Sequence, residues 1–263
     1  MKNIFGLLRT KGRTDCSDGC RLERKFYIPE EKISMAAALL RHCCPPDPLY
    51  PEGVVHSLYY DTENLDDYED SEQGSRQRKK IRLRWYNQPA SGGKTIRVFA
   101  ELKTKEGFTG RKYRQAVEVP ARTVQGNQWQ KGILPYSAVL AVLAQFDYFP
   151  PQRLLPTILI SYHRRRFIDL TTGARVSLDW RIVSTLAAPH QTRREGPLRM
   201  EGAVVEVKGR SLELSPALRS LKLLETDWTR YSKYACCLSA QLEEAGSFGR
   251  LMPSGRASWN EYL

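Results

Sequence analysis

The chain has 263 residues, 41% of them hydrophobic, and is long enough to bury a core in one large domain or two small ones. Its formal net charge of +12 favours an anionic partner: a nucleic acid, a membrane surface or a phosphate-rich small molecule. No apolar run approaches the ~20 residues that cross a bilayer, and the apolar stretch within residues 1–13 is too short for a secretory signal. We therefore expect a cytoplasmic chain without a transmembrane segment, which a membrane partner could recruit.

Cysteine usage favours a reducing compartment. Two of the six cysteines form the adjacent pair Cys43-Cys44 and two form Cys236-Cys237, and neighbouring cysteines rarely suit a disulfide framework. Cys16 and Cys20 lack a second Cys or His pair at the spacing of a zinc finger. Free thiols are the interpretation that this pattern favours.

The first part of the chain is predicted to begin with a flexible basic arm over residues 1–18. A strand follows at 21–28. A helix is predicted over 30–44, because Ile33, Ala36 and Leu40 recur at helical spacing and Pro45-Pro46 then stops it. The next predicted elements are a strand at 54–61 and a partly helical connection at 62–75.

The rest of the chain predicts further strands around a helical middle. Its strands are expected at 80–86, 96–105, 110–119, 157–169, 174–180 and 203–209, with a turn-rich connection at 87–94. Residues 121–151 are expected to be helical, 187–202 a polar loop, 231–244 a closing helix and 247–263 a tail. Eight strands with helices packed outside them predict one α+β domain over residues 19–246.

Several predicted strands alternate apolar residues with charges. Side chains two residues apart share one face of a strand, so Arg82 and Arg84 point together, as do Glu101 and Lys103. Glu206 and Lys208 repeat the pattern. Several strands of this kind, with a few carboxylates among the cations, indicate a concave charged surface or tunnel. A strongly anionic ligand held through a metal would suit it.

Five segments in order resemble a known family. They are Ile81-Arg82-Leu83-Arg84-Trp85-Tyr86, Glu101-Leu102-Lys103-Thr104, Arg175-Val176-Ser177-Leu178-Asp179, Val205-Glu206-Val207-Lys208 and Tyr231-Ser232-Lys233-Tyr234. Together they resemble the VTC domain, the polyphosphate polymerase module of the triphosphate tunnel metalloenzyme (CYTH-like) superfamily. The resemblance runs from about residue 21 to 242. It implies an eight-stranded antiparallel β tunnel, ATP and inorganic polyphosphate as substrates, and transfer of the γ-phosphoryl group of ATP to the growing chain.

The resemblance also implies a set of site residues. Those expected to bind phosphate are Lys25, Arg82, Arg84, Lys103, Lys112, Arg164, Arg175, Lys208, Arg230 and Lys233. Six of these are expected to be catalytic: Arg82, Arg84, Lys103, Arg164, Arg175 and Lys233. Arg230 stands where the family has a lysine, and a guanidinium binds with a different geometry from an ammonium. Glu206 stands at the family's ligand for Mn²⁺ or Mg²⁺, with Glu101 either a second ligand or a partner that orders nearby lysines.

Other interpretations stay open at this point. Lys105, Arg114 and Arg166 fit either a tunnel mouth or the surface, Arg165 and His163 have the parity of the outer face, and Tyr59 and Tyr60 fit core packing. The alternative activity is hydrolysis of inorganic triphosphate or a nucleoside triphosphate. A polyphosphate-binding module without catalysis is a further alternative. We expect no nucleic-acid binding, because neither a stacking surface nor a groove-reading helix is evident.

Overall fold

The structure is a computed structural model that describes residues 13–14, 22–87, 94–107, 109–187, 196–211, 213–224, 231–242 and 253–256. The chain divides into two compact units. The first unit comprises residues 1–18, 56–160 and 185–195, and the second comprises residues 19–55, 161–184 and 196–263. Apart from residues 13–14 and 253–256, the predicted arm and tail lie outside the described residues, as do Arg230 and most of the connection at 87–94.

Eight long strands form the framework, as the sequence predicts. They are β2 (Leu22–Ile28), β3 (Glu52–Asp61), β4 (Gln77–Tyr86), β5 (Thr95–Glu106), β6 (Thr109–Pro120), β7 (Leu155–Ile168), β8 (Arg175–Leu186) and β10 (Ala203–Gly209). Three short strands accompany them: β1 (Arg13–Thr14), β9 (Leu198–Met200) and β11 (Pro253–Arg256). The strand pairs are antiparallel, which confirms the predicted α+β class with its eight-stranded antiparallel sheet.

Four α-helices and four 3-10 helices complete the described elements. The α-helices are α1 (Ile33–Cys43), α2 (Asp66–Glu72), α3 (Tyr136–Ala144) and α4 (Lys233–Leu242). The 3-10 helices span Glu30–Lys32, Ala121–Val124, Gln128–Lys131 and Ala217–Leu224. Within the described ranges, each helix is too short or too polar to cross a membrane. Cys43, Cys44, Cys236 and Cys237 are free thiols, as expected.

In the first unit, β4, β5 and β6 form an antiparallel ladder with two different faces. Ile81, Leu83 and Trp85 are buried on one face, which we call the apolar face. Ile81 and Leu83 line the same small cavity as Val139 and Val142, so α3 lies over this face. The opposite face, which we call the basic face, carries the alternate residues of the three strands, among them Arg82, Glu101 and Lys112. Alternation along the strands thus separates core from charge.

In the second unit, β10 lies between β2 and β8. Phe26, Val205 and Leu178 belong to one apolar cluster with Leu40 of α1 and Leu218 of the 3-10 helix. The alternate residues of the three strands point away from that cluster, and Glu206 is among them. Its backbone lies opposite Lys25 on one side and Ser177 on the other.

Gly202 helps to set this register. Its φ of 74° is in the left-handed region, and a Cβ there would lie 2.6 Å from the carbonyl oxygen of Ile28. Only glycine therefore fits where β10 begins beside the end of β2. The amide of Gly202 donates to Oε2 of Glu30 at 2.8 Å. From this start Ala203 pairs with Ile28, which brings Glu206 opposite Lys25 three residues later.

Candidate functional site

Two clusters of charged side chains contain most of the expected site residues, one in each unit. We name them the Glu206 cluster (Glu206, Asp179, Arg164, Lys208 and Lys233) and the Glu101 cluster (Glu101, Arg82, Arg84, Lys112 and Arg114). Each is built around a buried glutamate on the middle strand of three. Glu206 is 6% exposed and Glu101 is 2% exposed.

Three cations contact Glu206. Lys208 donates to its Oε2 at 2.9 Å, Arg164 donates to the same oxygen at 3.3 Å, and Lys233 donates to Oε1 at 3.2 Å. These side chains come from β10, β7 and α4, elements separated in sequence. The strand period places Lys208 and Glu206 on one face, and α4 begins at Lys233. The structure thus brings together four of the residues that the sequence singled out.

Asp179 joins the same cluster, although sequence reasoning gave it no role of its own. Arg164 binds it with two parallel hydrogen bonds, from Nε to Oδ1 at 2.5 Å and from Nη2 to Oδ2 at 2.6 Å. Lys233 lies 2.7 Å from Oδ2. Asp179 is fully buried, so it fixes the orientation of two cations that also contact Glu206. Strand parity places Asp179 on the same face as Arg175, an expected ligand on this strand, but it does not identify the partners of Asp179.

Both carboxylates of the Glu206 cluster are held in the ionised form. Burial raises the pKa of Glu206, but Lys208, Lys233 and Arg164 outweigh it and hold that pKa well below its usual range. Burial also opposes ionisation of Asp179, whose pKa is nevertheless lowered by Arg164 and Lys233. The pKa of Lys233 is raised, because the attraction of Asp179 and Glu206 exceeds the effect of burial. The cluster is therefore a set of permanent charges near neutral pH.

Two other expected ligands lie next to this cluster. Lys25 lies opposite Glu206 in the strand register, and its ammonium donates to the carbonyl oxygen of Tyr231 at 2.7 Å. Arg175 is exposed and lies opposite Lys208, one row along the ladder. Arg165 has the opposite parity to Arg164, and its side chain pairs with Glu52 at 3.0 Å.

The Glu101 cluster has one carboxylate and four cations. Arg82 lies 2.6 Å from Oε2 of Glu101 and Arg84 lies 4.0 Å from it, while Lys112 and Arg114 lie 2.9 and 3.3 Å from Oε1. Burial raises the pKa of Glu101, but Arg82, Arg84 and Lys112 hold it well below its usual range. The pKa of Lys112 is lowered by burial and by Arg82, although Glu101 opposes this.

Aromatic and hydroxyl groups fix the arginines of this cluster. Arg82 donates to the hydroxyl of Tyr59 at 2.9 Å, and Arg84 donates to Ser57 at 3.1 Å. Arg114, whose sequence position fits either a tunnel mouth or the surface, lies 3.7 Å from the centre of the Phe99 ring. Tyr59, expected only to pack, is buried and also holds a site arginine. Lys103 is exposed and lies between Lys80 and Lys112 in the strand register.

The two glutamates differ in how well they suit a divalent cation. The described part of the chain contains no group of three or more His, Cys, Asp or Glu side chains that could hold a metal by themselves. Mg²⁺ at phosphate sites is commonly held by one or two carboxylates plus phosphate and water oxygens. Glu206 fits that donor set, because a second carboxylate lies near it. Arg164 and Lys233, which contact Glu206, also contact Asp179. Glu101 is the single carboxylate among four cations, and its geometry fits a residue that orders them.

Comparison with known proteins gives one family match. A family model described as "VTC domain" matches residues 20–241, which is most of the chain. No curated protein matches the sequence.

Comparison with solved structures finds matches of low sequence identity. A candidate adenylate cyclase from Bacillus halodurans is 13% identical, with 81% of this chain and 93% of that chain covered and a TM-score of 0.49. A candidate adenylyl cyclase from Hippeastrum, reported with a dominant triphosphatase activity, is 14% identical, with coverages of 84% and 96% and a TM-score of 0.45. A candidate adenylate cyclase from Vibrio parahaemolyticus is 13% identical, with coverages of 92% and 97% and a TM-score of 0.35.

Proposed function

This chain belongs to the VTC domain family, and from that premise we propose that it transfers the γ-phosphoryl group of ATP to a growing inorganic polyphosphate chain. The observation that carries the proposal is the Glu206 cluster. Three cations from three different elements converge on one buried glutamate, at the positions that the family resemblance selects. A second buried carboxylate, Asp179, holds two of them in place.

The chemistry of phosphoryl transfer suits such a cluster. The protein has little covalent work to do, because the reaction mainly needs aligned reactants and charge neutralisation on phosphate oxygens. Arg164 would offer a guanidinium whose plane Asp179 already fixes, and Lys208 and Lys233 would offer ammonium groups. Because these groups are oriented before substrate arrives, little reorganisation is needed during the reaction.

Glu206 is the proposed ligand for Mn²⁺ or Mg²⁺. Such a cation, when bound, would neutralise phosphate oxygens as a Lewis acid. Lys208 and Lys233 now contact the two oxygens of Glu206, and phosphate groups would compete for those same ammonium groups. Phosphate binding would thereby release carboxylate oxygens for the cation, so we expect the two to bind together.

The Glu101 cluster is proposed to bind phosphates of the polymer. Arg82, Arg84, Lys112 and Arg114 exceed the single negative charge of Glu101. Glu101 would order these cations rather than hold metal, the second of the two roles its sequence position allows. Cations that are already oriented lose less entropy on binding phosphate than free side chains would.

The test incubates the protein with Mn²⁺ and either ATP or inorganic triphosphate, and follows the phosphate species by ³¹P NMR over time. An internal-phosphate signal that grows with ADP is the result expected. Orthophosphate without chain growth would instead assign hydrolysis, and no turnover of ATP or triphosphate would leave a binding module.

The matched variants are Glu206→Gln and Glu52→Gln, each of which removes one carboxylate from the second unit. Glu206→Gln should abolish metal-dependent turnover, while Glu52→Gln removes only a surface pair and should retain it. Loss of a buried ion partner costs about 3–5 kcal/mol, so a thermal melt must show that the first variant is folded under assay conditions. A folded and fully active Glu206→Gln would remove Glu206 from the site.

A further inference from the structure

At one end of the second unit, two chain segments lie side by side. The first is residues 44–51, which follow α1, and the second is the turn between β7 and β8. The amide of Ile168 donates to the carbonyl oxygen of Pro45 at 3.0 Å, and the amide of Asp47 donates to the carbonyl oxygen of Arg166 at 2.9 Å. We call this part of the molecule the turn end of the second unit.

Three large apolar side chains are exposed at the turn end. Leu49 and Leu170 are each 77% exposed, and Tyr50 is 69% exposed. A single exposed apolar side chain is common on a protein surface and needs no explanation. Three of them on two neighbouring turns form a patch, and patches of this kind mark sites where a protein meets another surface.

Hydrogen bonds hold the first segment in a fixed shape. Oδ1 of Asp47 accepts the amides of Leu49 and Tyr50 at 3.0 and 2.9 Å. The guanidinium of Arg166 donates to the carbonyl oxygen of Tyr50 at 3.2 Å, and its amide donates to that of Pro51 at 2.7 Å. Four of the eight residues in this segment are proline, which restricts the backbone further. The segment therefore loses little conformational entropy when its apolar side chains are buried.

The turn that carries Leu170 is fixed in a similar way. The amide of Asp169 donates to the carbonyl oxygen of Ala174 at 2.9 Å, and its Oδ1 accepts the amide of Thr171 at 3.2 Å. The amide of Gly173 donates back to the carbonyl oxygen of Asp169 at 2.7 Å. In both segments an aspartate stabilises its own turn, while the apolar side chain beside it stays exposed.

The exposed charges of the turn end are mainly positive. Arg41 in the last turn of α1 is exposed, as is Arg175 at the start of β8. β10 ends beside Arg175 in the strand register, and the exposed Arg210 follows it. Among the described residues of this end, the exposed acids are Glu213 and Glu52, and Glu52 already pairs with an arginine of β7. Apolar side chains among arginines match a surface with an anionic outer layer and an apolar interior.

We propose that the turn end docks on the surface of an anionic lipid bilayer, with Leu49, Tyr50 and Leu170 in the interfacial layer. Tyrosine suits that layer because its ring is apolar and its hydroxyl is polar. Arginine side chains can lay their alkyl stems along apolar surface while the guanidinium stays beside the lipid phosphates. The chain would lie on the bilayer rather than cross it.

A lipid surface suits this patch better than a protein partner does. A stable protein interface covers about 800 Å² on each side, which is more than three side chains on two turns present. Insertion into a bilayer needs only a few projecting apolar groups together with attraction to anionic headgroups. The proposal goes beyond the function proposed above and does not depend on it, because docking on lipid requires no phosphoryl transfer.

The test is co-sedimentation of the full chain with vesicles of equal parts phosphatidylcholine and phosphatidylglycerol, without ATP, metal or polyphosphate. Vesicles of phosphatidylcholine alone provide the uncharged comparison. The variant is Leu49→Ser/Leu170→Ser, which removes two exposed side chains from the patch. Circular dichroism checks that the variant is folded, and either single variant serves if the double variant is not.

The control is Met35→Ser/Leu223→Ser, which removes two exposed apolar side chains of the same unit from the opposite end of α1. Met35 lies in the first turn of α1. Leu223 precedes Leu224, whose carbonyl oxygen accepts a hydrogen bond at 3.0 Å from Lys32, the residue before that helix. The control therefore matches the variant in lost apolar surface but leaves the turn end intact.

The wild type should bind the charged vesicles, more weakly as NaCl is added, and should bind phosphatidylcholine alone far less. The double variant should bind the charged vesicles at least about tenfold more weakly, while the control stays within about twofold of the wild type. An unchanged affinity in the variant would overturn the proposal and assign lipid phosphate to the basic clusters. An equal loss in the control would also overturn it. Absence of wild-type binding would do the same and leave the patch to a protein partner. Because the assay needs no turnover, its result is separate from that of the polymerase test.

Discussion

Among individual residues, Asp179 has the largest effect on the geometry of the Glu206 cluster, because it orients two of the cluster's cations. Its carboxylate accepts two hydrogen bonds from Arg164 and lies 2.7 Å from Lys233. Both cations also contact Glu206, at longer distances of 3.3 and 3.2 Å. The shorter contacts set the orientation, which leaves the cations directed towards Glu206. We therefore interpret Asp179 as a positioning residue rather than a catalytic one.

Asp179→Asn should lower kcat on the order of 10²-fold with a smaller change in KM, because the amide keeps the shape but cannot hold both cations. Initial rates of ADP formation at several polyphosphate concentrations measure both constants. Asp47→Asn is the control: Asp47 is a turn aspartate whose Oδ1 accepts the amides of Leu49 and Tyr50. A folded Asp179→Asn enzyme with wild-type kcat and only a lower melting temperature would make Asp179 purely structural.

The charged residues of the clusters are predictable to the extent that strand parity governs them. The two-residue period of a strand is enough to place Arg82 with Arg84, and Glu206 with Lys208, on common faces. The role of Asp179 is not predictable in this way, since its partner Arg164 comes from another strand and the contact depends on register. For Tyr59 the sequence predicts packing alone, because a buried ring and a hydrogen-bonding hydroxyl leave the same sequence signal.

At the scale of elements, eight strands and the main helices follow from hydrophobic period, but some boundaries do not. The prediction that a strand ends at Trp180 is wrong, since β8 continues to Leu186 through Arg181, whose φ is 50°. β9 lies within the predicted loop at 187–202 and pairs with that continuation. No element is predicted from the sequence over the 3-10 helix at Ala217–Leu224, although its buried Leu218, Leu221 and Leu224 recur every three residues.

Helix α2 contains a buried acid that no site uses. Asp67 is 1% exposed and lies 3.0 Å from Lys79, while the nearby Asp61 accepts the backbone amides of Asp67 and Tyr68. Burial, helped by the charge of Asp61, raises the pKa of Asp67 to about 7 even though Lys79 opposes this. A carboxyl group with a higher pKa in the folded state binds its proton more tightly there than in the unfolded chain.

Asp67 should therefore make the free energy of unfolding depend on pH. Its contribution is complete below the unfolded pKa of about 3.9 and is lost as the pH rises through about 7. Asp67→Asn should remove this decline, which we expect to be on the order of 4 kcal/mol, since each of the roughly three pH units between the two pKa values contributes about 1.4 kcal/mol. Urea unfolding at intervals between pH 4 and 8 measures it. Glu69→Gln, an exposed change in the same helix, should keep the wild-type slope; a wild-type slope in Asp67→Asn would show that Asp67 is not its source.

For the whole molecule, the excess of positive charge makes a fall in pH destabilising, whereas at Asp67 it is a rise in pH that destabilises the fold. The chain carries +12 at neutral pH, and its 29 Asp and Glu residues become neutral as the pH falls. Glu101, Asp179 and Glu206 are buried among cations with lowered pKa values. Their contribution to stability is complete above their unfolded pKa values of about 4 and is lost as the pH falls through the lower folded values.

Stability should thus fall steeply below about pH 4, where protonation of these carboxylates leaves Arg82, Arg164 and Lys233 without counter-charge. An acid titration followed by near-ultraviolet circular dichroism locates the midpoint. Long-chain polyphosphate should move that midpoint to lower pH, because a polyanion supplies the missing negative charge and the oriented clusters of the folded chain bind it more tightly than the unfolded chain does. At a concentration 100 times its Kd, the ligand stabilises by at most about 2.7 kcal/mol, since binding to the unfolded chain reduces the effect. NaCl at matched ionic strength controls for screening, and an equal shift with NaCl would mean that general screening, not occupancy of the two clusters, protects the fold.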